Sequence, residues 1–290
     1  MINIGIIGFG FVGSSVAYGF SPQTGFDKAV LRVYDKESSR STHSLGEVLD
    51  ESDFIFISVP TPSNVDGSIN LSILDNVINE IGQHGTKDGC VILIRSTIVP
   101  GTTRMFAEKY SNLTFVFNPE FLTERSAKFD FINQARFILG GERKHTEKVA
   151  ELFRIRFGSS TPTIQTDFET AEFVKYMNNC YFATKVSFMN EMKLIADKSG
   201  VNWQEAVDGF IRDGRIGHSH IHVPGPDGKL GFGGSCFPKD IQAMMDYSRK
   251  NGIEPNVLSG AWQTNLEVRP EKDWEKLLGR AIIVKENTHD

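Results

Sequence analysis

Within five positions of a glycine-rich stretch, Gly231-Phe232-Gly233-Gly234-Ser235-Cys236-Phe237-Pro238-Lys239-Asp240, the sequence sets a thiol, an ammonium and a carboxylate. The glycines let the backbone pass close to a ligand. Pro238 reads as the opening of a helix through Ile241, Met244 and Met245. Cys236 then precedes a helix N-terminus with Lys239 nearby, a setting that lowers a thiol pKa and makes a nucleophile. Asp240, in the first turn, suits the helix dipole and can act as a base. A half-buried cysteine beside an ordinary glycine turn explains the same residues, so the rest of the chain must decide. A second pair is Lys175 and Asn179, four apart and hence on one face of a helix. A buried lysine is unfavourable unless it meets a ligand or a carboxylate; otherwise its stem lies on apolar surface with the ammonium in water.

The elements that must position these groups are legible in outline. No proline or glycine interrupts Asp167 to Ser199, Gly200 is placed to end the run, and Thr166-Asp167-Phe168-Glu169 reads as a capping box. Such a helix spans about 50 Å. Val174, Met177, Tyr181, Phe188, Met192 and Ile195, with Phe173, Phe182, Val186 and Met189 beside them, spread apolar surface around it. That predicts a buried spine between domains and a dimer contact.

Near the N-terminus the strand-like Ile2–Ile7 runs into Gly8-Phe9-Gly10-Phe11-Val12-Gly13 and a helical stretch, Ser14–Phe20. A second strand, Ala29–Tyr34, ends on Asp35, at the spacing of a dinucleotide fingerprint. Gly8 makes the tight turn, Gly10 admits the pyrophosphate, Gly13 lets helix pack on strand, and the helix N-terminus faces the phosphates. Asp35 favours a free ribose 2′-hydroxyl, hence NAD over NADP. Arg32, Lys36 and Arg40 nearby moderate that preference.

Further strands are expected at Phe54–Val59, Cys90–Arg95, Thr114–Phe117, Phe137–Leu139 and Thr163–Gln165. Helices are expected at Leu71–Ile81, Thr103–Lys109 and Thr146–Phe153. This alternation means a doubly wound, mostly parallel Rossmann-like α/β sheet. Its strand ends carry Val59-Pro60-Thr61-Pro62, Arg95-Ser96-Thr97 and Asn118-Pro119-Glu120, candidates for the site. Ser96 and Thr97 could equally cap the next helix. After the long helix, helices are expected over Trp203–Arg212, Ile241–Asn251 and Asn256–Leu266. A last helix, Trp274–Arg280, and a strand-like Ala281–Val284 end the sequence. The expected organisation is a dinucleotide-binding domain at 1–166, a helical domain carrying the cysteine loop at 167–270 and joined by the long helix, and a tail at 271–290.

Composition restricts the partners. With 290 residues, 40% hydrophobic, 23% charged and a net charge of −5, the chain suits neither nucleic acid nor an anionic membrane. No apolar run is long enough to span a bilayer, and the N-terminus lacks a signal-peptide pattern. Three cysteines (Cys90, Cys180, Cys236) form neither a disulfide framework nor a metal spacing, so a reducing, cytoplasmic location is expected. His218, His220 and His222 alternate in a glycine-rich loop without carboxylate or thiol partners, which reads as a solvated loop; no metal is expected.

Taken in order, Gly8–Gly13, Val59-Pro60-Thr61-Pro62, Ser96-Thr97-Ile98-Val99-Pro100, Asn118-Pro119-Glu120-Phe121-Leu122-Thr123-Glu124, Lys175-x-x-x-Asn179, Arg215-Ile216-Gly217 and Gly231–Asp240 resemble the UDP-glucose/GDP-mannose dehydrogenase family over about residues 1–270. The resemblance implies two successive NAD-dependent oxidations of a nucleotide sugar's C6 alcohol, most specifically UDP-glucose to UDP-glucuronate. It implies Cys236 as nucleophile, Lys175 and Asn179 as stabilisers of the C6 oxyanion, and Asp240 with Glu120 and Thr97 holding and deprotonating water. Phe121, Leu122, Thr123, Glu124 and Gly233 would contact the sugar. Phe11, Val12, Arg40, Thr61, Thr97, Glu124 and Lys239 would join the glycines and Asp35 at the cofactor. Arg215 is similar to an arginine that reaches the neighbouring subunit's substrate, so a homodimer through the long helix is expected. The loop between Gly217 and Gly231 is longer than in short family members. The family's third, nucleotide-holding domain has no counterpart before Asp290, so weaker substrate binding and turnover are expected.

Two other functions fit parts of the pattern. A one-step 3-hydroxyacid or 6-phosphogluconate-type dehydrogenase shares the glycine fold, long helix and Lys-x-x-x-Asn pair but has no use for Cys236. A catalytically weak NAD-binding module would need none of the reactive groups.

Overall fold

The computed structural model describes residues 1–283. Its chain divides into two compact units, one of residues 1–61 and 71–175, the other of residues 62–70 and those from 176 onward.

The first unit is built on seven strands: β1 (Ile2–Ile7), β2 (Ala29–Tyr34), β3 (Phe54–Ile57), β4 (Val91–Ile94), β5 (Phe115–Phe117), β6 (Phe137–Gly140) and β7 (Thr163–Thr166). Their order is β2-β1-β3-β4-β5-β6-β7. All pairings are parallel except β5 with β6, which meet antiparallel at Phe117 and Gly140. β3 and β4 are buried throughout, which is why they read as unbroken apolar runs. Alternate residues feed opposite faces. Ile7, Ile55, Ile57, Ile92 and Ile94 join one core, and Ile4, Ile6, Phe54, Phe56, Val91 and Leu93 the other. The second core holds a phenylalanine cluster, with the Phe137 and Phe153 ring centroids 4.4 Å apart. Each such side chain, once buried, contributes about 1.5–3 kcal/mol. The helices α1 (Phe11–Gly19), α2 (Leu45–Glu51), α3 (Ser72–His84), α4 (Thr102–Lys109), α5 (Ala127–Ile132) and α6 (Arg143–Phe157) connect the strands.

The long helix α7 covers Phe168–Ser199, 32 residues, and the chain passes from the first unit to the second within it. Its N-terminal cap differs from the expected box. Asp167, not Thr166, accepts the Thr170 N–H at 2.7 Å, and Glu169 is engaged by Arg104. A carboxylate one residue further on serves the same orphan amides. Gly200, at φ +68°, ends the helix as expected. Of the apolar residues expected to be covered as a spine or a dimer contact, Phe173, Met177, Tyr181, Phe188, Met192 and Ile195 are exposed on the single chain.

The second unit adds α8 (Trp203–Phe210), α9 (Phe237–Lys250) and α10 (Asn256–Val268) to the rest of α7. The expected helix at Trp274–Arg280 is a 3-10 turn over Asp273–Lys276. Beyond it Ile282 bridges Ser63 instead of extending a strand; Val284 lies outside the described residues. Residues 62–70 leave the sheet to join this unit, with Ser63 N–H on Ala281 O at 2.9 Å.

Candidate active site

In the first unit the glycine loop has the geometry its spacing predicts. Gly8 stands at φ +89°, and a Cβ on Gly13 would meet Gly8 O at 1.9 Å, so helix and strand close only with glycine there. Gly10 faces open space and caps α1 without a side chain, so the N-terminus of that helix is open to close approach. Asp35 accepts the Phe9 N–H at 2.6 Å through one oxygen and the Glu37 N–H at 2.9 Å through the other. It thereby holds the glycine loop. A helix end with room at Gly10 and a carboxylate at the end of β2 fit a dinucleotide. Arg40 turns outward to Glu37, 2.8 Å away.

At the carboxyl ends of β3 to β5, Thr61 is buried and donates to Thr97 O at 2.8 Å. Ser96 bonds both the N–H and the carbonyl of Val59, so its hydroxyl ties two loops together and does not cap α4. Glu120 and Lys175 are buried and meet: the ammonium donates to Glu120 Oε1 at 2.9 Å and to Glu120 O at 2.6 Å. Lys175 is therefore no snorkelling surface lysine. Burial works to raise the Glu120 pKa, but the Lys175 charge, the Leu122 N–H and Arg95 outweigh it and hold the carboxyl below its usual range. Phe121 lies against Arg136 and near Lys175, Leu122 is half-buried, and Thr123 and Glu124 are exposed.

In the second unit Cys236 is the N-cap of α9, and Asp240 N–H reaches back to Cys236 O at 2.8 Å, closing the first turn. Asp240 is 1% exposed; one carboxylate oxygen takes Lys239 Nζ and the other takes Asn179 Nδ2 at 2.6 Å. The lysine expected beside the cysteine is thus bonded to Asp240. Asn179, one turn beyond Lys175 on α7, reaches α9 directly. Below the loop, Asn265 brackets Phe232, accepting its N–H at 2.7 Å and donating to its carbonyl at 3.1 Å. Asn190 accepts the Gly231 N–H at 3.0 Å. Arg269 lies under Gly233, where a Cβ would meet its Nη2 at 2.5 Å. It also bonds Leu230 O, Asp227 and Asp273. Lys229 joins Asp273 at 2.9 Å, so the long stretch before the cysteine loop is clamped by charge.

Sequence reasoning missed Asn190, Asn265 and Arg269. A buried asparagine inside an apolar helical face was the available signal for the first two. His220 departs from the solvated-loop expectation: it is half-buried and stacked on Phe182, centroids 4.1 Å apart. His218 and His222 are exposed. Arg215 extends into solvent beside Asp213. Among the described residues no group of three or more His, Cys, Asp or Glu could hold a metal ion.

Two family models match the chain, both of the UDP-glucose/GDP-mannose dehydrogenase family: the NAD binding domain over residues 22–156 and the central domain over residues 169–267. A UDP-glucose 6-dehydrogenase of Rickettsia bellii is 33% identical over 88% of this chain and 58% of its own length. One of Haloferax volcanii is 30% identical over 93% of this chain and 71% of its own length. The solved structure of a UDP-glucose dehydrogenase from Pyrobaculum islandicum superposes with a TM-score of 0.79 at 27% identity, covering 92% of this chain and 68% of that one.

Proposed function

The chain belongs to the UDP-glucose/GDP-mannose dehydrogenase family, and from that membership we propose that it oxidises a nucleotide sugar, UDP-glucose, to its uronate in two NAD-dependent steps through Cys236. The observation that carries the reading is the set at the start of α9, a half-buried thiol beside a buried carboxylate. Cys236 is the N-cap, and Asp240, one turn on, is fixed from both sides by Lys239 and Asn179. A one-step dehydrogenase has no use for a thiol there.

Gly8, Gly10, Gly13 and Asp35 hold the dinucleotide, with Phe11, Val12 and Thr61 beside them; when bound, it supplies the hydride acceptor for each oxidation. Lys175 and Asn179 stabilise negative charge on the sugar C6 oxygen while the alcohol loses its proton and hydride, becoming an aldehyde. The Cys236 thiolate then adds to C6, forming a C–S bond and a thiohemiacetal. Loss of a second hydride leaves a thioester. Water, held by Asp240 with Glu120 and Thr97, attacks that carbon. The C–S bond breaks, the thiolate returns, and the acid leaves as carboxylate with both protons of the water released. Phe121 to Glu124 and Gly233 contact the sugar, with Glu124 and Lys239 toward the nicotinamide. Self-association through the exposed apolar stripe of α7 presents Arg215 to the neighbouring subunit's substrate.

The test is stoichiometry. Purified protein given limiting UDP-glucose yields two NADH per sugar and a product with the mass of the uronate. One NADH per sugar, with an aldehyde or ketone product, overturns the reading in favour of one-step oxidation. NAD binding without any NADH from UDP- and GDP-sugars favours a non-catalytic module.

A further inference from the structure

Two of the three glycines ahead of Cys236 are required by their own backbone: Gly231 at φ +65° and Gly234 at φ +73° stand in the left-handed region. Gly233 does not. What requires glycine there is its neighbour, because a Cβ would meet Arg269 Nη2 at 2.5 Å, Arg269 Cζ at 2.7 Å and Asp273 Oδ1 at 2.8 Å. The backbone three residues before the thiol therefore rests directly on an ion pair. Arg269, at the C-terminal end of α10, is 2% exposed, and its Nε, Nη1 and Nη2 are all engaged. Nε donates to Asp273 Oδ1 at 3.0 Å and Nη1 to Leu230 O at 3.2 Å. Nη2 donates to Asp227 Oδ2 and to Asp273 Oδ2, each at 2.7 Å. The bond from Arg269 is the main reason the Asp273 carboxyl titrates at about 2, so the pair is ionised at neutral pH. One turn earlier on α10, Asn265 brackets Phe232. One helix end thus grips Leu230, Phe232 and Gly233.

We propose that Arg269 is a positioning residue for the thiol: its guanidinium, fixed by Asp227 and Asp273, is the seat that sets where the Cys236 loop stands at the start of α9. The inference rests on the reading that Cys236 captures the aldehyde. A buried ion pair is weak ground for stability, because desolvation offsets much of the attraction. What this one supplies is direction, since a planar fork holds two carboxylates and a carbonyl at fixed angles where an ammonium cannot. The proposed reaction depends on that direction. Between the two oxidations the aldehyde either gains a C–S bond to the thiolate or leaves, and a displacement of about 1 Å at the reacting atoms can cost about a hundredfold. A loop without its seat lets the aldehyde go after the first hydride has been taken and before any C–S bond forms.

The experiment uses the full chain with Arg269→Lys, which keeps the charge and loses the fork. Protein is given UDP-glucose, NAD and semicarbazide, which captures free aldehyde as a semicarbazone identified by mass. Wild type makes two NADH per uronate and no semicarbazone. R269K makes uronate about tenfold or more slowly, with KM within about threefold, and loses aldehyde to the semicarbazone, so NADH per uronate rises above two. A second reading needs no turnover: without substrate, at constant pH, iodoacetamide alkylates Cys236 at a rate about threefold or more away from that of wild type, followed by the mass of its peptide. An arginine that serves stability alone moves neither the aldehyde loss nor the alkylation. A folded R269K with no semicarbazone, or with wild-type alkylation, overturns the proposal. If R269K does not fold, Asp273→Asn, which removes the charge that fixes the guanidinium, is judged by the same two criteria. Wild type that forms no uronate from any UDP- or GDP-sugar fails the functional reading, and the alkylation comparison then decides the role of Arg269 by itself.

Discussion

Glu172, on the first turns of α7, is fully buried and accepts the Gly101 N–H at 2.6 Å, the Thr103 N–H at 2.7 Å and the Thr103 hydroxyl at 2.6 Å. It provides the N-terminal cap that Gly101 lacks a side chain to give α4. Burial pushes its carboxyl up to about 7 against the pull of those donors. A carboxyl whose pKa is higher in the fold than in the unfolded chain stabilises fully below the unfolded value, and that contribution is lost as pH rises through the folded one. Urea denaturation of wild type against Glu172→Gln therefore has a signed outcome. The wild type loses about 3 kcal/mol relative to the variant between about pH 4.5 and pH 8. A difference that stays flat, or grows with pH, contradicts the assignment. Glu172 could not be found from sequence, because its donors lie far away in the chain and nothing local marks it. Cys236, Asp240, Lys175 and Asn179 could, since each pair sits one helical turn apart.

Among the elements, α7 repeats apolar residues at Phe173, Met177, Tyr181, Phe188, Met192 and Ile195, all exposed on the isolated chain. Steps of three, four and seven keep such residues on one stripe. If a second copy covers that stripe, Tyr181→Glu places a charge in the contact and leaves the helix intact. Sedimentation should then show a monomer where wild type is a dimer, with unchanged far-UV circular dichroism. A wild-type monomer, or a dimer that survives the charge, removes α7 as the contact. The strands were legible because β3 and β4, apolar at every position, have no other stable reading at that length. The end of the chain was not. Trp274 packs on Trp262, centroids 5.3 Å apart, and Ile282 bridges Ser63. These distant contacts override the local helical pattern. Residues 62–70, for which the sequence offered no element, likewise reach far along the chain, with Ser63 bridging Ile282 and Gly67 lying against Gln242.

Across the whole molecule the reactive groups are divided. The first unit carries the glycine loop, Glu120 and Lys175, and the second carries Asn179, Cys236 and Asp240. The chain spans 58% of the length of the Rickettsia bellii relative, so its activity is a matter for measurement on this chain. The proposed chemistry requires the thiol of Cys236 to hold the sugar carbon between two oxidations. Replacing that thiol tests the requirement most directly. Cys236→Ala should bind NAD within about threefold of wild type while uronate formation from UDP-glucose, followed by mass, falls about a thousandfold or more. Uronate formed by the alanine variant within about tenfold of the wild-type rate would contradict the account.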